Sequence, residues 1–292
     1  MAFVANEGVR LHYQASGEGP AIVFAHESAA DARQWAAQVA ALAPHYRCIT
    51  YNARGYPPSD VPPDDAAYGH GPAWRDLAAI VEQVAGGPAH IVGLSMGAYA
   101  GLMLGLERPG LVRSLCLAGG GTGSTRGPNE ALCIAMERLA DLFEAEGSEA
   151  GARAIAASPT RTGFKARDPA GWQAWFDDLC THSPHGMART FRNYQGNRPS
   201  LHAFEQALER LDKPTLLVVG DEDDGCLEVN LFLRRIIAGA GLCVVPHSGH
   251  AVNLEQPAFF NRLLADFIAD AGAHARLTRR DAAPNAPPSL GE

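Results

Sequence analysis

The sequence predicts an α/β protein: a mainly parallel sheet with helices on both faces, interrupted by a helical cap insertion. Three observations carry that expectation. Short apolar runs of strand length alternate with segments whose apolar residues recur every three or four positions through the first 120 residues. The rhythm stops after Gly119-Gly120-Gly121-Thr122-Gly123, and the chain from about 124 to 210 is helical in tendency with no clear strand. It then resumes at Pro214–Gly220.

In chain order, Val9–Gln14 mixes apolar and polar residues as a half-buried strand does, and Ala21–Ala25 is continuously apolar. Asp31 opens a helical stretch in which Trp35, Val39 and Leu42 share a face; Arg47–Tyr51 is strand-like again. Trp74, Leu77, Val81 and Val84 form the next helical face. His90–Leu94 reads as a buried strand, Met96–Glu107 as a helix closed by Pro109, and Val112–Leu117 as a further strand. After the helical stretch come strands at Pro214–Gly220 and Leu242–Val245 and a helix at Pro257–Ala269. The expected organisation is a core of residues 1–122 and 211–271, a helical cap over one sheet edge at 123–210, and a disordered tail at 272–292, rich in alanine and proline.

Composition bounds the function. With 292 residues, 47% hydrophobic and 19% charged, the chain is globular and long enough for one α/β core. A net charge of −8 argues against general affinity for nucleic acid or anionic membrane, both of which need a basic surface. The six cysteines, at 48, 116, 133, 180, 226 and 243, form no Cys-x-x-Cys pair and read as free thiols in a reducing compartment. The N-terminus lacks the basic and continuously apolar regions of a signal peptide, and no apolar run approaches the ~20 residues of a membrane helix. A cytoplasmic protein is expected; oligomeric state is unreadable.

The chemistry concentrates in three places. Gly93-Leu94-Ser95-Met96-Gly97 lies between a buried strand and a helix, where small residues let a tight turn close and lift a serine hydroxyl clear of the sheet. That turn also puts the Met96 amide at a helix N-terminus, poised to stabilise an oxyanion. A serine nucleophile needs a base and a carboxylate behind it. His250, in the loop between the strand Leu242–Val245 and the last helix, is the candidate base, with His247 as its rival. The acid comes from the run Asp221-Glu222-Asp223-Asp224 at the C-terminal end of a strand, where spacing alone leaves the choice open.

The order of serine, acid and histidine, with a helical insertion after the sixth strand, resembles the α/β-hydrolase fold family over residues 1 to about 271. The resemblance implies Asp223 as the acid, three residues after the glycine, with Asp224 as runner-up and Asp221 behind it. Asn52–Ser59 is similar to the family's Arg-Gly-x-Gly-x-Ser loop, with proline at the second glycine, and implies that Arg54 anchors backbone and neighbouring carboxylates. His26-Glu27-Ser28 stands where relatives have His-Gly-x, which assigns the second oxyanion amide to Ser28 and a bracing role to His26. Glu27 departs from that pattern and is either solvent-facing or part of the pocket.

Other motifs carry less. The glycines at 119–123 lack the Gly-Lys-Ser/Thr ending of a phosphate loop and serve the swing into the cap. Trp172, Trp175 and Phe176 form a cap stripe that reads first as cap core and second as ligand wall; on the second reading Trp172 and Trp175, with His26 and Glu27, are candidate pocket residues. Neither His247/His250 nor His182/His185 has a third ligand at metal spacing, so no metal or organic cofactor is expected. The expected function is hydrolysis of a small carboxylic ester or lactone through an acyl-enzyme. The alternatives are a carbon–carbon bond hydrolase of ring-cleavage products, a perhydrolase, and a ligand receptor without turnover. A carbon–carbon hydrolase would need a positive cluster from Arg161, Arg167, Arg189 and Arg192 in the cap pocket.

Overall fold

Eight strands make one sheet in the computed structural model, which describes residues 1–277 and their side chains as far as residue 271. They are β1 (Ala2–Asn6), β2 (Val9–Ser16), β3 (Ala21–Ala25), β4 (Arg47–Tyr51), β5 (Ala89–Leu94), β6 (Val112–Ala118), β7 (Thr215–Gly220) and β8 (Gly241–Val245). Their order across the sheet is β1-β2-β4-β3-β5-β6-β7-β8. From β4 to β8 every neighbouring pair is parallel, while β2 runs antiparallel to both β1 and β4.

Helices alternate with the strands. The first three are α1 (Ala36–Leu42), α2 (His70–Ile80) and α3 (Met96–Glu107). Between β6 and β7 lie only helices: α4 (Glu130–Glu146), α5 (Ser148–Ala156), α6 (Pro159–Arg167), α7 (Pro169–Cys180), α8 (Pro184–Arg189) and α9 (Glu205–Glu209), with shorter 3-10 and π turns. α10 (Asp224–Ile236), α11 (Val252–Glu255) and α12 (Pro257–Leu277) complete the described chain.

The period of two along each strand splits the interior in two. Ile22 and Phe24 of β3 join Trp35, Leu42, Phe260 and Leu264, so α1 and α12 cover that face. Val23 and Ala25 point the other way, toward Leu77, Ile80, Leu102 and Leu233 of α2, α3 and α10. Central strands buried on both faces explain why β3, β5 and β7 read as unbroken apolar runs. Cys48 and Cys116 pack there as small hydrophobes, and all six cysteines are free thiols.

Three features differ from the sequence reading. The edge strand β1 and helix α10 were not marked by it; β1 alternates weakly, and α10 begins inside the acidic run. α12 runs on to Leu277, past residue 271 where the core was expected to end, and the rest of the expected tail, 278–292, lies outside the described residues. Among the described residues no helix is long and apolar enough to cross a membrane.

Candidate active site

The turn from β5 into α3 is built by its glycines. A Cβ on Gly97 would stand 2.1 Å from the Ala25 carbonyl oxygen, and one on Gly93 would stand 2.4 Å from the Gly97 backbone. Only glycine lets β3, β5 and α3 approach so closely. Between them Ser95 holds φ 53° and ψ −107°, a left-handed backbone that a serine adopts only when its surroundings impose it. Its amide donates to the Ala118 carbonyl at 2.8 Å. The Met96 amide, first in α3, belongs to the helix turn whose N–H groups have no intrahelical acceptor.

The loop after β8 carries His250, and neighbours clamp it closely. Glu255 accepts from the Gly249 and Ala251 amides at 2.9 and 3.2 Å, and the His250 amide donates to the Thr160 carbonyl at 3.3 Å. His250 Nδ1 lies 2.7 Å from Asp223 Oδ2, at the N-cap of α10. Of the four acidic residues at 221–224, only Asp223 is buried. Asp224 is exposed, and Asp221 accepts from the Ser248 amide at 3.2 Å. His247 is exposed as well. The ring of His250 stands 3.3 Å from where a Cβ on Gly119 would be, so the corner Ala118–Gly119 touches the serine on one side and the imidazole on the other.

Electrostatics bind the pair. Burial pushes the Asp223 carboxyl up, but the charge and hydrogen bond of His250, with the Cys226 thiol and Arg161, override it and hold the carboxyl below its usual range. Burial works against the imidazolium of His250, and Asp223 outweighs it, so His250 sits well above the ordinary histidine range. Cys226 is fully buried, donates to the Gly119 carbonyl at 3.2 Å, and lies 3.9 Å from His250 Nδ1. Asp223, Cys226 and His250 thus bring ligand-type atoms within 4.8 Å of one another. Tetrahedral zinc ligands stand about 3.3 Å apart. The 2.7 Å Asp223–His250 contact is therefore a hydrogen bond with no room for an ion.

The turn after β3 is braced from below. His26 Nε2 accepts from the Ala53 amide at 2.9 Å, which makes Nδ1 the protonated nitrogen that donates to the Glu27 carbonyl at 2.7 Å. Burial drives His26 down to about 4, so it is neutral and fully engaged. Tyr56 donates to the Ser28 carbonyl at 2.8 Å. Arg54, in the same layer, is held by Asp76 through two bonds of 2.7 Å and by the Ala67 carbonyl. Glu27 is buried, at 1% exposure, and Arg161 from α6 donates to its Oε2.

A cleft of about 600 Å³ opens beside His250 and Asp223. Glu27, Ser28, Arg161, Asp223 and His250 give it a polar floor, and Met136, Leu139 and Leu142 of α4, Ile155 of α5 and Phe191 give it apolar walls. Three of the expected pocket residues lie elsewhere. His26 faces a separate small cavity beneath the turn. Trp172 stacks on Phe176 at 5.4 Å along an outer groove. Trp175 stands behind Arg161, donating to the Ala29 carbonyl at 2.9 Å. Of the four arginines named above, only Arg161 reaches the cleft. Arg167 pairs with Glu222 and Glu255, Arg189 with Asp65, and Arg192 with Glu137, Asp141 and Glu144. The sequence reading did not find Tyr56, Thr160, Cys226 or Glu255. Their roles rest on contacts across the fold that no local spacing encodes.

Comparison with known proteins agrees with this architecture. A family model described as "Alpha/beta hydrolase family" matches residues 22–263. The chain is 26% identical to 3-oxoadipate enol-lactonase 1 of Acinetobacter baylyi over 276 residues, which is 90% of this chain and 94% of that protein. It is 28% identical over 280 residues to a 2-hydroxy-6-oxononadienedioate/2-hydroxy-6-oxononatrienedioate hydrolase of Burkholderia vietnamiensis, covering 89% of this chain and 91% of that one. Among solved structures, a hydrolase from Pseudomonas aeruginosa PA01 superposes with a TM-score of 0.80 at 26% identity, covering 91% of this chain and 97% of that one.

Proposed function

The chain belongs to the alpha/beta hydrolase family, and from that premise we propose that it hydrolyses a small carboxylic ester or lactone through an acyl-enzyme on Ser95. The observation that carries the proposal is a strained, buried serine and a histidine held at 2.7 Å by a buried aspartate on either side of the Ala118–Gly119 corner, with the histidine and aspartate lining an apolar-walled cleft. Ser95 Oγ attacks the carbonyl carbon while His250 Nε2 takes its proton. Asp223 fixes the ring so that Nε2 faces the reaction and stabilises the imidazolium that forms. The amides of Ser28 and Met96 receive the oxyanion; losing one such donor costs about 2.7–4 kcal/mol of barrier. The proton passes from His250 to the leaving alkoxide; the alcohol of an ester departs, and that of a lactone stays tethered to the acyl group. Water, deprotonated by His250, then attacks the acyl carbon and releases the acid and free Ser95.

The cleft supports a neutral substrate with an apolar flank. Its walls from α4 and α5 are aliphatic, and its one buried cation, Arg161, is already met by Glu27. An anionic ring-cleavage dienoate would meet exposed Arg138 at the cleft's rim but no surplus positive charge on its buried floor beside His250, which ranks carbon–carbon hydrolysis second. A perhydrolase calls for a tight pocket, and an open cleft of about 600 Å³ opposes it. In this reading residues 123–210 act as the cap, since α4, α5 and α6 supply most of the cleft's wall.

The test is steady-state hydrolysis of nitrophenyl esters of increasing acyl length by the wild type and by Ser95→Ala. Turnover that collapses to background in Ser95→Ala supports the assignment, and the length profile bounds the acyl site. Activity retained in Ser95→Ala would sink it. Turnover by neither protein would favour ring-cleavage dienoates or a receptor role, which the same pair of proteins can be tested against.

A further inference from the structure

The buried pair Glu27–Arg161 takes no part in the steps above, yet it stands against the base. Its members come from places 134 residues apart, Glu27 from the turn after β3 and Arg161 from the first turn of α6, and are 1% and 3% exposed. Arg161 Nη2 donates to Glu27 Oε2, and that same oxygen lies 4.0 Å from His250 Nε2. The guanidinium is seated over the Trp175 ring at 4.8 Å, and Trp175 is tied to the Ala29 carbonyl. One carboxylate oxygen therefore sits between two nitrogens, a guanidinium and the catalytic imidazole, and bonds only the first.

We propose that Arg161 is a positioning residue: by holding the Glu27 carboxylate it keeps that group from capturing His250 Nε2 and so leaves the imidazole free to act on Ser95. The inference rests on the reading of His250 as the base. A buried carboxylate without a counter-ion is unstable and takes whatever cation lies in reach. Asp223 already holds Nδ1. A second carboxylate at Nε2 would bind the imidazolium at both nitrogens, and a ring so held accepts no proton from a serine. Arg161 supplies the cation in place of His250.

Charged and titratable groups surround the His250 ring. Asp223 and Cys226 face it from the start of α10, Glu27 from the turn after β3, and Arg161 from α6. Arg138 of α4 borders the same cleft from the exposed side. Glu255 of α11 is occupied by the Gly249 and Ala251 amides and by Arg167. Glu27 and Arg161 are thus the pair that sets the charge at Nε2, with Arg161 acting through its charge on Asp223 as well.

The experiment follows the His250 ring by NMR in protein labelled with 15N-histidine, the resonance being assigned by its loss in His250→Gln. It needs no substrate. Arg161→Met should raise the His250 pKa by about one unit or more, because an opposite charge a few ångströms away is then unshared. Glu27→Gln should lower it, and the double variant should return it toward the wild type. Arg161→Lys, which keeps the charge, should lie nearer the wild type than Arg161→Met. The acid limb of kcat/KM for an ester should move in the same order. Should Arg161→Met fail to fold, Glu27→Gln and Arg161→Lys still decide. An unshifted His250 in Glu27→Gln, or a fall in Arg161→Met, would overturn the proposal. A protein that hydrolyses no ester, judged by Ser95→Ala, would instead refute the function, and the titration would still read the pair.

Discussion

Asp223→Asn isolates the contribution of one charge. In the wild type, Asp223 Oδ2 stands 2.7 Å from His250 Nδ1, and the two side chains are 3% and 12% exposed. Two unit charges at that separation attract by about 6 kcal/mol at the effective dielectric of about 20 that suits such sites, an upper bound because both charges are delocalised. At about 1.4 kcal/mol per decade this bounds the loss near ten-thousandfold. Asparagine also presents an ambiguous partner to Nδ1 and permits the wrong tautomer, a defect worth about 10⁴ in kcat when serine triads lose their aspartate. Two arguments thus converge on a loss of about three to four decades in kcat/KM. The assay is ester hydrolysis, with circular dichroism and urea unfolding to establish that each variant is folded. Asp224→Asn, one residue on and exposed, is the control and should stay within about twofold, as exposed substitutions do. Asp223→Asn retaining a tenth of wild-type activity, or Asp224→Asn falling as far, would refute the reasoning.

Other outcomes follow from the same contacts. Arg54→Met strands the buried Asp76 carboxylate and should cost about 3–5 kcal/mol in urea unfolding, with part recovered in Arg54→Met/Asp76→Asn. Gly97→Ala drives a methyl to 2.1 Å from the Ala25 carbonyl oxygen; Ser95 labelling by fluorophosphonate should fall sharply even where circular dichroism shows a folded chain. Burial lowers His26 and His90 from 6.5 to about 4, so the native state binds fewer protons than the unfolded one between those values. Their stabilisation is complete above pH 6.5 and is lost as pH falls toward 4, by a few kcal/mol in all. His90→Asn should flatten the drop in urea midpoint between about pH 7 and 5, and an unchanged drop would contradict that origin.

What could be read in the chain was what is local. The strands β3, β5 and β7 announce themselves because both faces are buried, and the serine turn does so because close backbone approach demands Gly93 and Gly97. The choice among four adjacent carboxylates was not local: Asp223 is the buried member only because α10 starts there, and the resemblance, not the spacing, pointed to it. Glu27 was the least legible residue. In a loop sequence a glutamate reads as solvated, and its partner lies 134 residues away on α6. The tryptophans read first as cap core, and both are buried there; their second reading, as pocket wall, was not legible for a related reason. A helical stripe fixes which residues share a side but not which cavity that side meets, and α7 buries Trp172 beside an outer groove while laying Trp175 under Arg161.

One pattern bears on how such an enzyme could be recombined. The bonds that tie the helices between β6 and β7 to the turn after β3 converge on a few consecutive residues. Arg161 meets Glu27, Trp175 meets Ala29, His182 meets Asp31, and Asp178 and Thr181 meet Arg33. Exchanging the 123–210 segment for that of a relative, the obvious way to graft a new specificity, would strip partners from buried Glu27 and Asp31 together. A working chimera must therefore inherit residues 27–33 along with its helices, as two distant stretches of sequence that travel as one part.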